Sequence, residues 1–369
     1  MKDERLPPEV ARNLLFSVAN TGQPPPGLVR HFTVGFDKTL SSVEEDLLDG
    51  ILPAGYGAVR MIIGRNGNGK SHLCRDIVER ALARGFATAE IDLTTERELA
   101  KPEELYRVIA SHVRLDACDG TRALHGIDNI LFSKELVPRD WCAARVDAAY
   151  LRVATHLVAH SGSAEEVEAY SMWIRGESLS KLDRQALHLK AGLSARNAMA
   201  WLRNLILVLQ MAGAKGAVVV LDEAETIMDA VRSRLRKRLP IMLDLINGAA
   251  SREFPGTLFV LTGVTMGADV GWDHLKPVQQ RLWPDLPFPD GANPRGARIL
   301  VDGTGEVDEP EWMQIVARRI LEFAQTAGFE VDAAKEAELG AAIERQNRSP
   351  MALNKRTFVR EAASIAIYQ

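Results

Sequence analysis

This sequence predicts an α/β fold, a parallel sheet flanked by helices, with a helical insertion and a small helical unit at its C-terminal end. Three observations carry that prediction. Short apolar runs at residues 58–63, 87–93, 217–221 and 257–262 are continuous rather than alternating, the pattern of strands covered on both faces. Helical patterns separate these runs, as crossover connections between parallel strands require. A glycine-rich loop at residues 64–71 joins the first run to a helix spanning 72–84. With 369 residues, 46% of them hydrophobic, the chain can bury a large core in one elaborated domain or in two.

Residues 8–18 carry apolar side chains at helical spacing and run into Thr21-Gly22-Gln23-Pro24-Pro25-Pro26-Gly27, where three prolines forbid a continuing helix. Residues 1–27 are therefore expected to form a helix on a stiff tether. Residues 28–300 form the expected core. At its start, 41–52 reads as a helix with Ser41 or Ser42 as N-cap and Glu44 and Glu45 in its first turn. A fifth strand is expected at 298–301. Between about 115 and 192 the pattern is helical and polar with no convincing strand, which makes this stretch a helical insertion. Residues 301–369 read as a helical domain with helices at 312–327, 332–345 and 354–366.

Lys+Arg 45 against Asp+Glu 49 gives a net charge of −4, so the whole chain exerts no general attraction on nucleic acid or anionic lipid. No apolar run approaches the roughly 20 residues that span a bilayer, and the start has no apolar signal core. A cytoplasmic protein with no membrane partner is expected. Cys74, Cys118 and Cys142 form no metal-spaced cluster, which fits ordinary thiols in a reducing compartment.

Gly64-Arg65-Asn66-Gly67-Asn68-Gly69-Lys70-Ser71 satisfies GxxxxGK[ST] between a strand and a helix, the context in which backbone N–H groups cradle phosphate. Lys70 is expected on the β- and γ-phosphates, Ser71 on Mg²⁺, and His72 beside the bound nucleotide. Ala217-Val218-Val219-Val220-Leu221-Asp222-Glu223 ends a strand in two acids: Asp222 to hold Mg²⁺ and Glu223 to polarise the attacking water. A carboxylate that activates water, and the lack of a guanine-reading NKxD loop, favour ATP and its hydrolysis to ADP. Thr262, ending the 257–262 strand, is expected to orient water or sense the γ-phosphate. Arg281 is the candidate arginine finger offered to a neighbouring subunit, which would make hydrolysis depend on a homo-oligomer. Arg356, at the start of the last helix, is the candidate to reach the γ-phosphate, or else pairs with Glu361.

With those residues in place, the chain resembles an AAA+ ATPase, and more narrowly the ATP-binding protein of bacterial BREX-type phage-defence systems, the BrxD-like family. The likeness covers roughly residues 27–366 and rests on Val34-Gly35-Phe36, the phosphate loop, the strand at 86–93, Leu221-Asp222-Glu223-Ala224-Glu225-Thr226 and Thr262-Gly263. Two later blocks narrow it: Leu275-Lys276-Pro277-Val278-Gln279-Gln280-Arg281-Leu282 and Asn354-Lys355-Arg356-Thr357-Phe358-Val359-Arg360-Glu361. The resemblance implies a P-loop NTPase of AAA+ type, with an ORC/Cdc6-like core and a helical lid, working beside protein partners from the same defence locus. Asp222 stands 152 residues after Lys70, long for a minimal core of this kind, and Lys355 occupies a position where proline is common. The sequence ends at Gln369, so no winged-helix DNA-binding domain is expected after the lid.

Arg232, Arg234, Arg236, Lys237 and Arg238 make the one dense basic run, either a DNA-tracking face or a solvated helix face. No aromatic residue interleaves to stack on bases. His156 and His160 share helical spacing but lack a third ligand and the glutamate of HExxH. Two functions remain open: an ATPase that remodels partners or DNA, and a slow-hydrolysing nucleotide switch that recruits them.

Overall fold

The computed structural model describes residues 6–93, 101–116, 123–137, 144–189, 192–222, 232–263, 297–301, 306–348 and 353–368, with backbone alone for 232–239. It begins with helix α1 (Pro8–Thr21), then α2 (Asp37–Ser42), which continues in π-helical winding over Val43–Ile51. Strand β1 (Ala58–Ile63), helix α3 (Lys70–Ala83) and strand β2 (Ala87–Asp92) follow. Next come α4 (Pro102–His112), the two-residue strands β3 (Arg114–Leu115) and β4 (Leu124–His125), and helices α5 (Ile127–Ser133), α6 (Ala148–Val158), α7 (Ala164–Ile174), α8 (Lys181–Ala186) and α9 (Ala198–Met211). Strand β5 (Ala217–Asp222), helix α10 (Arg232–Ala250) and strands β6 (Thr257–Gly263) and β7 (Arg298–Leu300) complete the sheet. Helices α11 (Glu309–Thr326), α12 (Ala333–Asn347) and α13 (Lys355–Tyr368) end the chain.

Among the described residues the sheet has seven strands in the order β4-β3-β2-β5-β6-β1-β7. β2, β5, β6, β1 and β7 run parallel, and β3 and β4 add an antiparallel edge. The expectation of no strand after residue 115 is corrected by this edge: β3 and β4 are too short to leave an apolar pattern. The continuous apolarity of the central strands has the expected cause. Their alternate residues divide between two cores. Val59, Met61, Val219, Leu221, Phe259 and Leu261 face a cluster with α4, α5, α6, α7, α9 and α10. Ala58, Ile62, Val218, Val220, Leu258 and Val260 face α2 and α3. The described helices between residues 127 and 174 therefore pack on one face of the sheet, where the Tyr106 and Tyr150 hydroxyls meet at 2.7 Å beside Trp173 and Trp201.

The helix start expected at Ser41 or Ser42 is also corrected. Ser42 is already helical (φ −64, ψ −39), and its hydroxyl donates to Asp46 Oδ2 at 2.8 Å. Capping comes from far along the chain: Glu306 Oε1 accepts from the backbone N–H of Lys38 at 2.7 Å and of Thr39 at 3.3 Å. A carboxylate at a helix N-terminus satisfies free donors and complements the dipole, so the helix can begin at Asp37 without a local cap.

A third core joins the two ends of the chain. Leu14, Leu15 and Val18 of α1 are fully buried among Trp312, Met313, Val316 and Ile320 of α11 and Phe358, Ala362 and Ile365 of α13. Arg12 donates to the Ala327 carbonyl at 2.9 Å, and the Phe32 ring stacks on Phe323 at 5.5 Å. The stiff Pro-rich segment thus leaves a helix that is anchored in the C-terminal cluster. Leu14→Ala is expected to destabilise the protein by about 2–5 kcal/mol, as fully buried Leu→Ala changes do. Urea denaturation measures it, and a loss near zero would show α1 to be dispensable for that core.

Candidate functional site

The C-terminal ends of parallel strands β1, β6 and β5 lie side by side. β1 runs straight into the glycine-rich loop, whose first N–H, from Gly64, donates to the Gly263 carbonyl at the end of β6 at 3.0 Å. Gly69, with φ +98, occupies the position before α3, and no side chain caps that helix N-terminus. A Cβ on Gly69 would meet nothing within 4 Å, and the left-handed backbone there suits glycine. Gly67 (φ +83) is crowded instead: a Cβ would come within 2.9 Å of the Asn354 amide, just before the start of α13. Lys70 is 5% exposed, and its ammonium donates to the Gly64 carbonyl at 2.9 Å and to Asn66 Oδ1 at 3.2 Å. The lysine is thus folded over its own loop, beside the backbone donors of the α3 N-terminus.

Strand alternation fixes the side on which the other polar residues fall. Asp222 continues the Val218 and Val220 face, and Thr262 the Leu258 and Val260 face, both toward α3. Each is one residue beyond the last β5–β6 pair, Leu221 with Leu261, and both are buried. Cys74, one turn along α3 from Lys70, lies close enough to feel both Asp222 and Lys70. Burial, reinforced by the Asp222 charge, pushes its thiol well above the ordinary range, and Lys70 works against the shift. Asp222 and the lysine of the loop are therefore on one side of the sheet and in electrostatic reach of one α3 side chain.

A cleft of about 250 Å³ opens over the loop. Asn66 to His72 line one wall; Gly22, Gln23 and Pro24 lie across it, and Phe32, Val34, Phe36, Trp312, Lys355, Arg356 and Val359 complete it. Of the residues picked out in the sequence, Asn66, Gly67, Asn68, Gly69, Lys70, Ser71, His72 and Arg356 are brought together here. Gly64 and Arg65 sit at the strand end behind them. Arg356 turns across the cleft edge: its Nε donates to the Thr21 carbonyl at 2.9 Å, while Glu361 pairs with Arg345 at 2.7 Å. The alternative pairing of Arg356 with Glu361 is thereby corrected. Glu223 and Arg281 lie outside the described residues, and for Arg232 to Arg238 the helical backbone alone is described. His156 bonds Ser161 Oγ at 2.7 Å and His160 the Phe132 carbonyl at 3.1 Å.

His72 bonds Thr33 at 2.9 Å, and burial pushes its pKa down to about 4, against the pull of Asp76. A neutral folded imidazole binds no proton where the unfolded one does. Its contribution to stability is present above about pH 6.5 and is lost as pH falls from there toward about 4. His72→Gln is expected to flatten the urea-denaturation free energy across that window, and an unchanged slope would remove His72 as its source.

Several cleft residues were not named as site residues in the sequence. Phe32 and Trp312 look like ordinary core residues, and Phe36 and Lys355 stood out only as parts of longer blocks. Asp92, directly across from Asp222 in the β2–β5 register, puts a second carboxylate at the same sheet edge. The apolar run ending at residue 93 was the only local signal for it.

A seven-stranded, largely parallel sheet flanked by helices, with a lysine-bearing phosphate loop at the mouth of a helix, fits a P-loop NTPase-like nucleotide-binding protein. More narrowly, the chain belongs to the family of the BREX system ATP-binding protein BrxC/D, whose model matches residues 7–134 and 144–362. It is thus an ATP-binding protein of a phage-defence family, as its motifs suggested. Comparison with curated proteins finds no match. Among the described residues, no helix is long and apolar enough to cross a membrane.

Proposed function

We propose that the protein is a Mg²⁺-dependent ATPase of AAA+ type, in which α1 and α11–α13 act as a lid over the nucleotide and pass its state to partner proteins of the same defence system. One observation supports this most directly: Asp222 and Lys70 share one side of the sheet at the phosphate loop. The described residues fit both ATP and Mg²⁺. The backbone N–H groups at the start of α3, where a glycine takes the cap position, and the Lys70 ammonium suit a polyphosphate. The Ser71 hydroxyl and the Asp222 carboxylate are hard oxygen donors of the kind Mg²⁺ takes, with phosphate oxygens and water filling its shell. When bound, Mg²⁺ neutralises charge that develops on the phosphoryl oxygens.

The chain's own part is positioning. Lys70 releases the Gly64 carbonyl and Asn66 to hold the β- and γ-phosphates, and Thr262, at the end of β6, holds the attacking water or the γ-phosphate from the side. Glu223, next to Asp222 in sequence, takes up the proton of that water. Arg356 exchanges the Thr21 carbonyl for the γ-phosphate and so draws α13 toward the core. Arg281 of a neighbouring copy completes the charge stabilisation. DNA, if a partner, tracks the basic first turns of α10, giving hydrolysis that DNA stimulates and salt suppresses.

Steady-state phosphate release by wild type and Glu223→Gln tests the proposal. ATP binding is expected to persist in the variant while turnover falls by about a hundredfold or more, the scale of losing a general base. Equal turnover would remove Glu223 from the mechanism; tight ATP binding by wild type without turnover would leave the switch. A specific activity that stays flat over a wide dilution series would count against the Arg281 finger.

A further inference from the structure

The cleft lining is chemically mixed. Loop residues 66–71 and the α3 N-terminus are polar and donor-rich, and Phe32, Phe36, Trp312 and Val359 are aromatic and aliphatic. A nucleotide has the same division, a polyanion at one end and a flat, largely apolar base at the other. On the reading of this cleft as the ATP site, the base belongs against the aromatic lining. A charged side chain stands against two of these rings. Lys355 is 7% exposed, with its Nζ 5.4 Å from the centre of the Phe36 ring and 5.6 Å from that of Trp312. It is also near enough to His72 for their charges to interact.

The two consecutive cations of α13 are thus divided. Arg356 is exposed and directed to the Thr21 carbonyl, whereas Lys355 is turned inward between two rings. Burying an ammonium costs desolvation, which the two ring faces offset in part. The edge of a nucleobase carries ring nitrogens with free lone pairs, acceptors of the kind an ammonium set against an aromatic lining takes. We propose that Lys355 is a base-recognition residue, whose ammonium donates to a ring-nitrogen acceptor of the bound nucleotide and ties α13 to the base rather than to the phosphates. The residue that departs from the pattern at this position thereby acquires a role of its own, separate from any Arg356 has at the γ-phosphate.

Lys355→Met tests this, since methionine keeps most of the length and packing and removes the charge. Calorimetric titrations of the full chain with MgATP, MgADP and Mg-tripolyphosphate give the comparison. ATP and ADP, which share a base, are expected to weaken by the same factor, about tenfold, as for one charge-assisted hydrogen bond. Tripolyphosphate, which has no base, is expected to bind both proteins alike. Loss for ATP without loss for ADP would place Lys355 on the γ-phosphate and overturn the proposal. So would equal loss for all three ligands, or unchanged affinities with only a lowered melting temperature, the mark of a packing brace. If methionine prevents folding, Lys355→Gln, which keeps a neutral donor, is expected to show the same ligand pattern with a smaller factor. Wild type that binds tripolyphosphate but gains nothing from the base overturns the proposal alone; wild type that binds none of the three overturns the nucleotide reading with it.

Discussion

Lys70→Ala is expected to abolish measurable ATP binding, with affinity falling by about a hundredfold to ten-thousandfold. Two charge-assisted contacts to phosphate, each on the order of 1.5–3 kcal/mol, set that scale. Lys70 is held at 5% exposure on its own loop, with its ammonium on the Gly64 carbonyl and Asn66, so the side chain is already ordered and has only to exchange these acceptors for phosphate oxygens. Such preorganisation keeps the ordering cost of binding low. The ligand-free variant is expected to lose only about 1–3 kcal/mol of stability, the cost of leaving two acceptors to water. Calorimetry with MgATP on a variant shown to be folded by its melt separates the two effects. Retained affinity would mean that the loop does not hold phosphate through this lysine, and the nucleotide site would have to be sought elsewhere.

The central strands were legible because both faces are covered, so that each leaves an uninterrupted apolar run, and the loop was legible because its residues are contiguous. What escaped depends on contacts between distant parts of the chain. The cap on α2 is Glu306, which no window around Ser41 and Ser42 contains. The docking of α1 on α11 and α13 joins residues 8–21 to residues more than 280 positions later, and its apolar spacing says only that one face is buried. The burial of Lys355 beside an exposed Arg356 follows from a rotation of about 100° per residue along α13, which sends neighbours to different sides. In sequence the two are simply adjacent cations. Asp222 was legible as a strand end, but its orientation toward α3 follows from the register that alternates Val218, Val220 and Asp222 onto one face.

That orientation carries the second large effect. Asp222→Asn keeps the volume and the polar tip of a side chain that is 8% exposed, and removes its charge. On the proposed reading, a carboxylate at the end of β5, on the α3 side, would hold a divalent cation together with phosphate and the Ser71 hydroxyl; a neutral amide would have far less hold on it. ATP affinity without Mg²⁺ is therefore expected to be unchanged or slightly higher, since a negative group near the polyanion has been neutralised. With Mg²⁺, the variant is expected to lose the metal's enhancement of binding and about a hundredfold or more of any turnover. The sign difference between the two conditions makes the test sharp, because a general loss of folding would weaken ATP binding in both. Titrations with MgATP and with ATP in excess chelator, on wild type and variant side by side, supply the four affinities. Equal Mg²⁺ enhancement in both proteins would show that Asp222 closes the strand without serving the metal, and the acidic strand end would revert to a structural feature.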